Sequence, residues 1–246
     1  MTGTQGALPL PHRERLADGV RRQLEEGIAT GEIPVGSLLP AEAQLALTHS
    51  VSTRVIREAL GALAARGLVE ILPGKGTLVR GVDAAALGDF FSVAALADSH
   101  GLWDLFELRK VVEVQIAGLA ARRSTAGDIA TCDAAMQRLA AAGAEPEVYV
   151  EADIDFHQAI AAAAGNRMLS LVLEGLREPL RRGRTRSWQG RMRVGHGTED
   201  QIEMHRRILL AVRRHQPRAA MEAMARHLDL AEVHLRAAEA RLTAIS

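Results

Sequence analysis

Asp153, His157, His205 and His227 are the residues whose types and spacing could build a metal centre in this chain. Asp153 and His157 stand four positions apart, so on a helix both leave the same face one turn from each other, a common way to offer two ligands. His205 precedes the His215-Gln216-Pro217 joint by about ten residues, and His227 follows it by about eleven. If two helices meet antiparallel there, a rise of about 1.5 Å per residue puts both histidines roughly 16 Å from the turn, at one height. Three imidazoles and one carboxylate form a borderline-hard nitrogen and oxygen set that suits zinc, nickel, manganese or iron and leaves positions open for water or a ligand. On spacing alone the alternative stays open, because most helical histidines are hydrogen-bonded or solvated. His234, seven residues beyond His227, is the substitute ligand; Asp155 points to another side of its helix; His196 and His215 read as loop residues.

An open centre of this composition can activate water as readily as it receives a carboxylate, so a metal-dependent enzyme and a direct metal sensor both stand as alternatives to a ligand-responsive regulator. Apart from Asp155, the sequence places no general acid or base near the four ligands, and no catalytic residue is assigned. A second cluster, Ser52, Thr53, Arg54 and Arg57, opens a helical run whose apolar face is Val55, Ile56, Leu60 and Leu63. A helix start attracts phosphate, and a helix-turn-helix offers its second helix to base edges while its neighbours hold the backbone. Lys75 and Gly76 belong to a glycine-rich tip able to approach DNA closely. Spacing alone leaves DNA binding and an ordinary solvated helix evenly matched. Between Arg177 and Arg193 seven arginines accompany one acid, Glu178, and a solvated face is the first expectation for them, anion binding the second. Arg109 and Glu113 are i,i+4 partners, so an ion pair is expected first and contact of Arg109 with an effector second.

The elements that must carry these residues follow from periodicity. Leu16, Val20, Leu24 and Ile28 mark a helix from Arg13 to Thr30, closed by Gly31. A second helix is expected from about Ala41 to Thr48 and a third from Ser52 to Arg66, with Ser52 as its N-cap. Leu68–Leu72 and Thr77–Arg80 read as a hairpin around Pro73-Gly74-Lys75-Gly76, which completes a winged helix-turn-helix. Beyond Gly81-Val82-Asp83 the pattern is alanine-rich and helical, with helices expected over Ala84–Ala97, Leu102–Arg123, Ala126–Ala142, Pro146–Ala164, Met168–Arg182, Glu199–His215 and Pro217–Thr243. The expected fold class is mainly α: a disordered lead-in over 1–11, a winged helix-turn-helix over 12–81, and an all-α antiparallel bundle of six or seven helices over 84–246 that binds metal and effector and dimerises. The 246 residues are 48% hydrophobic, enough for real cores. Thirty basic against thirty acidic residues exclude a diffuse basic coat or a polybasic membrane anchor. A single cysteine, Cys132, excludes an intrachain disulfide framework, and the absence of a signal-like or membrane-spanning apolar run sets the cytoplasm as the expected location.

The stretch Gly31-Glu32-Ile33-Pro34-Val35-Gly36-Ser37-Leu38-Leu39-Pro40-Ala41-Glu42, followed by Leu45-Ala46, Val51-Ser52, Arg57-Glu58-Ala59-Leu60, Gly67-Leu68-Val69 and Gly74-Lys75-Gly76-Thr77, resembles the DNA-binding module of the GntR family of bacterial transcription factors over roughly residues 13–80. Ala43 and Thr53 stand where that family usually has arginine, so its operator sequences do not carry over. Arg109-Lys110-Val111-Val112-Glu113 with Ala117 and Ala120-Ala121, Asp153-Ile154-Asp155-Phe156-His157 with Gly165-Asn166, and Met204-His205-Arg206-Arg207-Ile208-Leu209 with Met224-Ala225-Arg226-His227-Leu228 resemble the FCD effector domain of the FadR-like branch, over about residues 84–240. The resemblance implies that Asp153, His157, His205 and His227 bind a divalent metal, zinc first, and that a small organic acid reaches the metal or the pocket around it. It also implies a transcriptional regulator, expected to be a repressor, that reads a double-stranded operator. One recognition helix covers only a half-site, and a chain without net charge lacks diffuse phosphate attraction, so a homodimer on an inverted repeat is expected.

Overall fold

The computed structural model describes residues 12–81, 83–97, 100–143, 145–193 and 198–239; the lead-in expected over 1–11, Val82 of the expected junction, and His196 lie outside the described residues. The chain divides into two compact units between Ala86 and Leu87.

The first unit holds α1 (His12–Thr30), α2 (Glu42–Thr48), α3 (Thr53–Ala64), β1 (Val69–Leu72) and β2 (Gly76–Val79). The buried stripe of α1 is Ala17, Val20, Leu24 and Ile28, whereas Leu16 is exposed. Steps of four overshoot a helical turn by about 40°, so a stripe running back from Ile28 reaches the core at Ala17 and passes it at Leu16. In α3, Val55, Ile56, Ala59, Leu60 and Leu63 are buried against this stripe's cluster, and Ser52 caps the helix by accepting from the Val55 N–H at 3.4 Å. The turn into α3 requires a left-handed residue, which here is Ser50 with φ 53°. Strands β1 and β2 pair antiparallel, Val69 opposite Val79 and Leu72 opposite Gly76, and Leu38 adds one bridge to Leu78. Gly74 (φ 72°) and Gly76 (φ 112°) let the tip close, since side-chain-bearing residues rarely adopt those angles.

The second unit is built from α4 (Ala85–Ala97), which starts just before it, and from α5 (Gly101–Arg123), α6 (Ala126–Ala141), α7 (Pro146–Ala163), α8 (Arg167–Gly175), α9 (Arg177–Arg193), α10 (Glu199–Arg213) and α11 (Pro217–Glu239). Its main core joins Ile116, Leu139, Phe156, Ile160, Ile208 and Leu228 with many alanines, among them Ala117, Ala120 and Ala121 of α5, all fully buried. Small residues let the backbones approach: a Cβ on Gly118 would lie 2.8 Å from Met221 of α11. The helix expected over Met168–Arg182 is instead two, and the second runs on to Arg193. Pro179 explains the break, because it has no N–H for the Gly175 carbonyl and its ring would crowd that carbonyl in a continuous helix. As the third residue of α9, Pro179 sits where no intrahelical donor is needed. No helix among the described residues is long and apolar enough to cross a membrane.

Candidate metal centre

Helix α7 carries Asp153 and His157 one turn apart, α10 carries His205, and α11 carries His227. The structure brings all four together: one ligand atom from each lies within 4.8 Å of the others, and all four residues are buried. Antiparallel α10 and α11 meet at Gln216, and the rings of His205 and His227 face each other with centroids 4.2 Å apart.

Each ligand is oriented from behind. His157 Nδ1 contacts the Glu113 carboxylate, and His205 Nδ1 donates to the Gln201 carbonyl at 2.6 Å. Protons held on Nδ1 leave the Nε2 lone pairs directed inward. Asp153 gives one oxygen to Arg184 and turns the other toward His205 Nε2 at 3.0 Å and His157 Nε2 at 3.8 Å. His157 Nε2 and His227 Nε2 are 3.2 Å apart. Electron-rich atoms thus converge from four sides, an arrangement that a shared cation satisfies and that neutral imidazoles alone do not. Burial pushes His157 down to about 4, and burial together with His205 and His157 holds His227 well below the usual histidine range, so both rings are neutral near pH 7. Burial opposes ionisation of Asp153, yet Arg184, His205 and His157 hold it well below the usual carboxylate range. The residues fit a divalent ion of the zinc class.

Arg109 forms the expected ion pair with Glu113, both fully enclosed, and also places Nη2 3.2 Å from His157 Nε2. Arg184 completes the network 3.8 Å from Glu113. The expectation of a solvated arginine face fails. Arg184 and Arg191 are buried, Arg177 binds Glu151 and Asp155, and Arg181 binds Glu151 and Glu178. The missing counter-charges are acids of α7, more than twenty residues away in sequence, so a local count of one acid misjudged the surface. Arg182 and Arg186 keep the exposed character expected of the run. Asp155 turns away from the ligands toward Arg138 and Arg177, His215 Nδ1 donates to the Ala121 carbonyl at 3.0 Å, and His234 is buried on α11 outside the group of four. The roles of Glu113, Arg184 and Gln201 were not legible beforehand, apart from the Arg109–Glu113 spacing. Beside the centre lies a narrow cleft, partly open to solvent and with free space of only about 30 Å³, lined among others by Arg109, Asp153 and His227.

In the other unit, Ser52, Thr53 and Arg54 are exposed at the start of α3, and Lys75 and Gly76 are exposed at the hairpin tip. Arg57 is also exposed and lies 2.7 Å from Glu42. A surface pair of this kind contributes little stability and leaves the guanidinium available to a phosphate.

Comparison with known proteins identifies both units. Residues 16–79 match the family described as bacterial regulatory proteins, gntR family, and residues 104–230 match the FCD domain. The HTH-type transcriptional regulator LutR of Bacillus subtilis is 35% identical over 159 residues, which cover 61% of this chain and 73% of the relative. The HTH-type transcriptional repressor NanR of Edwardsiella tarda is 28% identical over 220 residues, covering 88% and 84%. Among solved structures, a GntR protein of Streptococcus agalactiae aligns with a TM-score of 0.68 at 28% identity, over 87% of this chain and 97% of that one. These relatives are transcriptional regulators, not enzymes, which sets aside the water-activating use of the centre.

Proposed function

We propose, for a chain that belongs to the GntR family of bacterial regulatory proteins and carries an FCD domain, that a metal ion and a small organic acid held in the helical unit govern how the winged module reads DNA. The protein is a DNA-binding transcriptional regulator. In the proposed reading it is a cytoplasmic homodimeric repressor on an inverted repeat. Asp153, His157, His205 and His227 hold the ion, zinc first, with nickel, manganese or iron as substitutes. When bound, the ion supplies a positive charge to which a carboxylate oxygen can attach. Arg109, already beside His157, adds donors for the same carboxylate. Ser52, Thr53, Arg54 and Arg57 approach the major groove, and Lys75 and Gly76 the backbone. For the acid to act as a signal it must bind the DNA-competent and DNA-incompetent arrangements differently, a coupling of about 1–3 kcal/mol.

The observation that carries this reading is the convergence of three inward-facing imidazole nitrogens and one carboxylate oxygen, with two of the imidazoles fixed from behind by Glu113 and Gln201. The test has two arms. Metal analysis of the purified wild type and of His205→Ala should find one ion per chain in the first and none in the second; equal contents would sink the ligand assignment. Sequencing of genomic fragments retained at near-physiological salt should return a short palindrome released by an acid, whereas release by removal of the metal alone would make the ion itself the signal.

A further inference from the structure

Successive residues of a helix are rotated by about 100°, so position alone fixes the direction in which α3 presents each side chain. Counted from Arg54, the buried residues Val55, Ile56, Ala59, Leu60 and Leu63 stand at about 100°, 200°, 140°, 240° and 180°, a mean of about 170°. Arg54 therefore leaves the first turn of α3 directly away from the core. It is exposed and makes no ion pair among the described residues. Arg57 stands about 60° to one side, the side of α2, where Glu42 lies 2.7 Å from it. Thr53 stands about 100° to that same side and reaches less far.

The rest of the outward line is nearly bare. Gly61 and Ala65 stand within about 20° of Arg54, about 10 and 16 Å further along the axis, and both are exposed. A Cβ at Gly61 would meet nothing within 4 Å, so packing does not call for glycine there, and glycine weakens a helix relative to alanine. Glu58, about 40° to the other side, is half-buried. The outward line thus offers a major groove one long cation followed by a smooth surface, which lets the helix seat close to the base edges. We infer that Arg54 is the residue that reads sequence, by a paired contact from its guanidinium to O6 and N7 of one guanine in each half-site. Arg57, Thr53 and Lys75 fix the register on the sugar-phosphate backbone, and base identity falls to Arg54. The inference rests on the DNA contacts proposed above and narrows them to one base reader.

The test uses the full-length protein and the site it selects from a random pool of duplex DNA. Each base pair of the selected half-site is replaced in turn, and affinity is measured at one salt concentration. For the wild type, replacing one guanine shared by both half-sites should cost at least about tenfold, the effect of a paired contact between arginine and guanine. In Arg54→Ala the same replacement should cost less than about twofold, while the melting temperature stays as in the wild type. Arg57→Ala should instead weaken all sequences alike and flatten the slope of log affinity against log salt by about 1.8 per dimer. Gly61→Leu, which nothing in the fold obstructs, should melt no lower than the wild type and bind the selected site at least about tenfold more weakly. Three results overturn the inference and leave the DNA-binding module standing: a guanine penalty that survives in Arg54→Ala, an Arg54→Ala protein that weakens every sequence alike, and a Gly61→Leu protein of wild-type affinity. A selected site without a guanine shared by its halves does the same. A pool that yields no preferred sequence overturns the inference and the operator reading together.

Discussion

Glu113→Gln is the sharpest test of how the centre is held. Glu113 is 1% exposed and divides its carboxylate between two neighbours, one oxygen toward Arg109 Nε and the other toward His157 Nδ1. Glutamine has the same shape but one acceptor. If its oxygen keeps His157, its NH2 group faces the Arg109 guanidinium, donor against donor; if it flips, the clash moves to His157 Nδ1. Arg109, His157 and Arg184 keep Glu113 ionised well below the usual carboxylate range in spite of its burial, so the substitution also removes a real charge. Taking one partner from a buried ionic network costs about 3–5 kcal/mol, which for a chain of this size corresponds to a melting shift of about 6–20 °C. Losing the group that orients a ligating histidine costs about 10–100-fold in metal affinity, or about 1.4–2.7 kcal/mol. Zinc titration against a competing chelator reads the second quantity, and urea unfolding in excess chelator reads the first. A Glu113→Gln protein with wild-type zinc affinity and wild-type urea midpoint would refute the reasoning for both.

Acid should destabilise the metal-free fold in a defined window. His157 titrates at about 4 in the fold against 6.5 normally, so above pH 6.5 it is neutral in both states, and below that the unfolded chain takes up the proton first. His157 alone then removes about 1.4 kcal/mol per pH unit down to about pH 4, with His227 acting in the same direction, and from about pH 4.5 downward Glu113 and Asp153, both held below the usual carboxylate range in the fold, continue the loss; urea midpoints in chelator that stay flat from pH 7.5 to 4 would contradict this. Ser50→Gly removes the strain of a left-handed serine at φ 53° and should stabilise the first unit by up to about 1 kcal/mol after its own backbone entropy is counted, whereas a loss on thermal unfolding would count against strain there. Ile56→Ala empties a site with 0% exposure and should cost about 2–5 kcal/mol in the winged unit while zinc stoichiometry is kept, so loss of both together would show that the units do not fold independently.

What was readable in advance follows from which interactions are local. The Asp153–His157 spacing and the symmetric placing of His205 and His227 about a joint are properties of helices alone, and the rings do meet at 4.2 Å. Ser52 could be read as a cap because capping is local chemistry. The arginines of α9 could not be read this way, because their partners Glu113, Glu151, Asp153 and Asp155 come from α5 and α7. Leu16 misled because steps of four drift by about 40° a turn, so that the stripe running back from Ile28 meets the core at Ala17 instead. The α8–α9 break was written in Pro179, four residues after the carbonyl it disturbs, and was missed because the apolar pattern runs through it.

The centre gathers its parts from far along the chain: His157 meets Arg109 across 48 residues and His227 across 70. Contacts that close such long loops form late, after local helix pairs have assembled. Interactions absent from the folding transition state act on the rate of opening rather than on the rate of closing. A metal held as proposed, at about a hundredfold over its dissociation constant, adds about 2.7 kcal/mol, and nearly all of it appears as unfolding about a hundredfold slower. The ion then fixes how long each molecule survives once made. Where proteases remove opened chains, the amount of regulator follows the supply of metal with no change in its synthesis.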